Sequence, residues 1–179
     1  MVVSSRQKFL AENCSELNMQ SDNQPISRVE HAKSLGLIID DRLLWSNYIK
    51  ELCRKISSAI GALRCIRSLV SQSTAVLIYN ALIQPHFQYF ALVWDRLSSY
   101  LCEKLQKLQN RAARVILQAN CEVKSSLLLE TLIWNQLSLR RWKHKAIKMF
   151  KALNGLAPVY LQELFSQRHT DYHLRDSFH

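Results

Sequence analysis

The clearest signal in the chain is a set of apolar residues recurring at helical spacing. Trp45, Tyr48, Ile49, Leu52, Ile56, Ala59, Ile60, Leu63 and Ile66 fall on one stripe at ~100° per residue, which predicts an amphipathic helix opening near Ser46. Its end is expected near Val70, because residues 71–74 (SQST) offer a fresh N-cap. Residues 74–83 are apolar on nearly every face, so this segment is expected to lie centrally in the fold. Pro85 lacks an amide donor and should break or kink the chain beyond it. Residues 86–94 are again apolar and aromatic and read as a second short helical piece.

Ser98 or Ser99 should cap the next helix, running to about Ala119 with Leu101, Leu105, Leu108, Ala112, Val115 and Ile116 buried. A short helix is expected over 126–133. A longer one over 137–154 is expected to bury Leu139, Trp142, Ala146, Met149, Phe150 and Leu153. Gly155 suits the C′ position after it, and Pro158 suits the first turn of a last short helix reaching Phe165. Toward the N-terminus, residues 15–25 are polar and read as a loop, and residues 33–40 (KSLGLIID) read as a strand. The fold class is therefore mainly α: five or six helices with a small strand element near the N-terminus.

Composition agrees. Three Gly and three Pro are few for long loops or an all-β fold, and 48% apolar residues can fill a core. Five cysteines, with no CxxC pair, argue against a disulfide framework or a zinc knuckle. Reduced thiols point to the cytoplasm or nucleus. The N-terminal residues contain no apolar run of signal-peptide length, and no stretch approaches the 18 apolar residues of a membrane span.

The formal net charge of +10 points to a polyanionic partner, against the plainer reading of a soluble surface. Residues 100–160 hold eleven Lys and Arg against three Glu. Lys104, Lys107, Arg111 and Arg114 span a narrow arc beside an apolar stripe, where a helix can hold phosphates along a groove. Arg140, Arg141, Lys145, Lys148 and Lys151 spread over a whole polar face, as on an ordinary solvated helix. They are secondary candidates for the same contact. Trp94, Trp134 and Trp142 could stack on bases, but core packing is the simpler use of each.

Asp40-Asp41 at the end of an apolar strand could present two carboxylates to Mg²⁺. The turn preference of Asp is the favoured account, because no second acidic cluster completes such a site. His169 and His173 stand four apart in a polar tail and read as solvated. No nucleophile elbow, Gly-rich phosphate loop or Cys–His arrangement is present. No metal or cofactor is expected.

Several blocks together resemble the reverse transcriptases of non-LTR retrotransposons (jockey-like, LINE-type). Residues 34–40 (SLGLIID) with Leu43, Leu44 and Trp45 resemble that family's YLGV-x-ID…L-x-W segment. Residues 55–67, 78–87 (IYNALIQPHF) and 93–95 (VWD) continue the likeness. Residues 104–116 (KLQKLQNRAARVI) are the most telling stretch. Residues 157–161, the Tyr172 and 174–176 pieces, and residues 4–8 extend it over nearly the whole chain. The family's aromatic before Leu-Gly is Ser34 here, and its Asp-Tyr-Cys-Ser-Pro block is replaced by residues 88–92 (QYFAL).

In that family the catalytic Phe/Tyr-x-Asp-Asp hairpin lies upstream of all these blocks. The resemblance therefore makes Asp40-Asp41 a decoy and implies a fragment without polymerase chemistry of its own, Mg²⁺ belonging only to an intact parent enzyme. It implies a residual palm end over 1–42, with Leu35 and Gly36 primer-grip-like. It further implies a helical thumb-like and connector region over 43–166, then a loose tail over 167–179. RNA, DNA or their hybrid are the implied partners, with the missing palm as a further one. A helical protein-interaction module, or part of an active enzyme whose gene start lies further upstream, are the alternatives. With its palm strands absent, the segment 33–40 is expected to add little stability, and a chain starting near Leu43 should be at least as soluble as the whole.

Overall fold

The computed structural model describes residues 20–21, 24–25 and 29–165. Two short strand pairs, β1 (Gln20–Ser21) with β2 (Gln24–Pro25) and β3 (His31–Ser34) with β4 (Leu37–Asp40), are antiparallel. The helices are α1 (Ser46–Ile66), α2 (Gln72–Leu82), α3 (Gln84–Gln88), α4 (Ser99–Leu117), α5 (Ser125–Thr131), α6 (Leu137–Leu153) and α7 (Val159–Gln162). The mainly α class expected from the periodicity is therefore observed. The chain divides between Arg141 and Trp142, within α6, into two compact units.

The first unit is built on α1 and α4. α1 buries Tyr48, Ile49, Leu52, Ile56, Ile60 and Leu63 of the stripe read from the sequence, with Cys53 joining them, Ala59 half-buried and Ile66 exposed at the helix end. A 3₁₀ turn over Arg67–Leu69 finishes it before Val70. Ser71 caps α2 by accepting the Thr74 amide at 3.1 Å, and Ser98 caps α4 by accepting the Leu101 amide. α4 buries Leu101, Leu105, Ala112 and Ile116 against α1. The charge of Lys104 reaches Cys53, and the Arg67 side chain reaches the Ile116 carbonyl at 2.7 Å. The later residue of α4 meets the later residue of the α1 segment, so α1 and α4 run parallel.

Two expectations for the first unit are corrected. α2 is not central: it buries Ala75 and Tyr79, while Leu77 and Leu82 are exposed. An all-apolar segment needs neighbours on every side to be buried, and α2 has them on one. The helical piece expected over 86–94 stops at Gln88, and Phe90 takes a left-handed φ of 49°, which no helix continues through. The loop still delivers Trp94 into the core, where its Nε1 donates to the Tyr89 carbonyl at 2.9 Å. Trp134 stacks on Tyr79, centroids 4.1 Å apart.

The segment read as one strand over 33–40 is a hairpin. Leu35 and Gly36, with φ of 47° and 80°, make a two-residue turn between Ser34 and Leu37. Both positive φ values match a type I′ turn, which suits the strand twist. Leu37 is buried in the same core as the helices, and the Tyr89 hydroxyl donates to the Leu35 carbonyl at 2.7 Å. Asp40 closes the hairpin. Its Oδ1 accepts the amides of Arg42 and Leu44, and its Oδ2 accepts that of Trp45 at 2.7 Å.

In the second unit, α6 is followed by Gly155 at C′ with φ of 70°, and the Leu156 amide bonds the Lys151 carbonyl at 2.8 Å, a Schellman closure. Pro158 sits at the N-cap of α7. The expected buried stripe of α6 is corrected: Leu139, Trp142, Ala146, Met149, Phe150 and Leu153 are all exposed, and Ala152 is buried instead. Periodicity shows which side chains share a face; it does not supply an element to cover that face. Trp142 is accordingly not a core tryptophan. The tail expected after residue 167 and the pair His169/His173 lie outside the described residues.

Candidate nucleic-acid interface

α4 carries the leading site candidates. Lys104 and Lys107 lie toward its N-terminal half, roughly 10 Å and 6 Å along the axis from Arg111 at 1.5 Å per residue. Both are exposed. Lys104 lies 5.8 Å from the Tyr100 ring centroid. Lys107 pairs with Glu103 at 2.8 Å, a hydrogen bond that holds its ammonium above the usual lysine range. Exposed pairs of this kind contribute little, so the lysine can be recruited by a stronger anion.

Arg111 and Arg114 reach a groove at the C-terminal ends of α1 and α4. Its cavity volume is about 470 Å³, and Arg64, Arg67, Arg111, Arg114, Gln118 and Cys121 are among its lining residues. Four arginines line it, and no carboxylate does so among the described residues. Arg64 and Arg67 went unnoticed in the sequence because they sit on the helix read chiefly for its core stripe. Their signal was a basic pair three residues apart at a helix end, without a nearby acid.

Two of the four arginines are fixed. Arg67 Nε donates to the Ile116 carbonyl at 2.7 Å and its Nη1 to the Val70 carbonyl at 2.9 Å. Arg114 Nη2 donates to the Val123 carbonyl at 3.1 Å and approaches Ser125 Oγ at 3.5 Å. These bonds satisfy C-terminal and loop carbonyls and oppose the negative ends of the helix dipoles. Buried Arg114 Nε has no hydrogen-bond partner. The side chains of Arg64 and Arg111 are exposed and make no hydrogen bond or ion pair among the described residues.

The second group of candidates does not form one surface. Arg141 is buried, and its Nε lies 3.1 Å from Asp95 Oδ1 without the alignment of a hydrogen bond. Its Nη2 reaches Cys102 Sγ at 3.4 Å, and its guanidinium lies 5.7 Å from the Trp94 ring centroid. The solvated face expected for Arg141 is thus corrected: a nearby acid and an aromatic plane draw it into the core. Arg140 is half-buried with its Nη1 enclosed, close enough to Tyr79 to act on its hydroxyl. Burial, the dominant effect, pushes that hydroxyl up to about 12. Lys145 and Lys148 are exposed in the second unit.

Of the two hairpin-turn residues, Gly36 borders a second cleft of about 490 Å³, also lined by Lys33, Tyr48, Glu51, Lys55, His86 and Tyr89, while Leu35 is exposed and does not line it. Glu51 there is bonded by Arg54 and faces Lys55, so the charge in this cleft is mixed. Asp40, whose carboxylate is held by three backbone amides, is a structural closure of the hairpin.

Over 107 residues, 58% of its length, the chain is 25% identical to a probable RNA-directed DNA polymerase from transposon X-element of Drosophila melanogaster. The match spans 12% of that protein, so the chain covers a small part of its relative. No family model and no solved structure matches. The likeness supports an origin related to retrotransposon reverse transcriptases. Among the described residues, no helix is long and apolar enough to cross a membrane.

Proposed function

We propose that this chain is a non-catalytic piece, thumb- and connector-like, of a retrotransposon RNA-directed DNA polymerase that holds nucleic acid by its phosphates. The observation that carries this reading is the four-arginine groove, extended along α4 by exposed Lys107 and Lys104. The helix anchors these charges through its buried stripe, so they are presented without waving in solvent. Phosphate contacts recognise the backbone and carry no base code.

The test is an anisotropy titration of duplex DNA at several salt concentrations. Arg64, Lys104, Lys107 and Arg111 are the exposed cations of the surface. Four neutralised phosphates give a log–log salt slope of about −3.6, at ~0.9 per contact. Replacing Lys107 and Arg111 by Gln should flatten the slope by about 2, with the helical signal unchanged. Equal losses from a Lys145→Gln, Lys148→Gln variant would mean diffuse attraction. The rival reading, a protein-interaction module, is favoured by the exposed Trp142, Met149 and Phe150 of α6. Absence of binding near physiological salt would select it.

A further inference from the structure

The arginine groove differs from the rest of the α4 surface in a way that backbone binding alone does not explain. Lys104 and Lys107 are single cations on an open helix face, whereas four arginines line the groove. A phosphodiester carries one charge and two free oxygens. A terminal phosphate monoester carries about −1.5 to −2 at pH 7 and presents three strong acceptor oxygens. We propose that the groove is a site for a terminal phosphate monoester, the 5′-phosphate end of a nucleic-acid strand whose subsequent phosphates run toward Lys107 and Lys104. This rests on the nucleic-acid reading above.

Three observations support it. Arg67 and Arg114 are locked by carbonyl bonds, so half of the donor set is preorganised. Arg67 uses two of its five donors on those carbonyls and keeps the others for a ligand. Arg64 and Arg111 are free to close on a ligand from opposite helices. The C-terminal dipoles of α1 and α4 oppose an anion, but each amounts to only about half a charge, against four full positive charges. Bidentate guanidinium geometry suits a phosphate group with several free oxygens.

The experiment compares one short DNA strand carrying a 5′-phosphate with the same strand carrying a 5′-hydroxyl, by anisotropy with the full chain. The phosphorylated strand should bind about tenfold more tightly or better, the scale of one or two charge-assisted hydrogen bonds. The Arg64→Gln, Arg111→Gln variant should bring the ratio close to unity. Neither side chain makes a hydrogen bond or ion pair among the described residues, so the circular-dichroism melt should be unchanged. Lys104→Gln should weaken both strands alike. Lowering the pH through the second phosphate ionisation, about 6, should erode the preference in the native protein. Equal binding of both strands would overturn the proposal and leave backbone binding standing. Failure of both strands to bind would remove the nucleic-acid reading and this inference together. A phosphoserine peptide binding as tightly as the phosphorylated strand would overturn the assignment to a nucleic-acid end.

Discussion

Replacing Arg141 by Gln separates the two descriptions of that residue most sharply. On a solvated helix face the change would alter stability by less than about 0.5 kcal/mol. In the structure, the side chain of Arg141 is 8% exposed and that of its partner Asp95 is 18% exposed. Breaking a buried pair by removing one partner destabilises by about 3–5 kcal/mol, because the remaining charge stays desolvated. The residual exposure of Asp95 lets water reach it, which puts the expected loss near the lower bound, about 3 kcal/mol. Loss of the guanidinium from the Trp94 face adds to this rather than offsetting it. For a chain of this size each kcal/mol shifts Tm by about 2–4 °C, so calorimetry should show a fall of about 6–12 °C. Lys148→Gln, exposed in the same helix, is the control and should leave Tm nearly unchanged. Adding Asp95→Asn to Arg141→Gln should recover part of the loss, as expected for coupled partners. A Tm for Arg141→Gln within about 1 °C of the native value would refute the buried pair.

Neighbouring features give further expected outcomes. Leu37→Ala should destabilise by about 3 kcal/mol, and a chain starting at Leu43 should be less stable than the whole, reversing the expectation from sequence, because Leu37 is buried in the helical core. Thermal denaturation of both checks this. Burial first and the Lys55 charge second hold the His86 imidazole below its ordinary 6.5. The folded protein therefore resists protonating it; this group's contribution is complete above about pH 6.5 and declines as pH falls below that value. His86→Gln should flatten the acid limb of a Tm–pH curve, and an unchanged limb would place the imidazole in solvent. A primer-extension assay with Mg²⁺ or Mn²⁺ should show no incorporation. Incorporation lost in an Asp40→Ala, Asp41→Ala variant would give the pair a catalytic role that the amide bonds at Asp40 argue against.

The long helices α1, α4 and α6 and their caps were determined locally and could be read from the chain, whereas the short pieces after Pro85 and Pro158 ended earlier than their apolar runs suggest. The α1 stripe, Ser98 as N-cap and Gly155 as C′ residue each depend on residues within a turn or two, where spacing and backbone chemistry act directly. The α4 arc was legible for the same reason. Whether a face is covered depends on elements far away in sequence, so α2 and α6 were assigned burial that the structure does not give them. The hairpin was misread as one strand because a Leu-Gly turn with two positive φ values sits inside an apolar run. Tertiary structure alone decided that Arg141 meets Asp95, 46 positions earlier, and that Arg64 and Arg67 meet Arg111 and Arg114. Helical periodicity fixes angle about one axis. The groove exists because α1 and α4 pack in parallel with their C-terminal ends together, and long-range packing of two helices sets that relation.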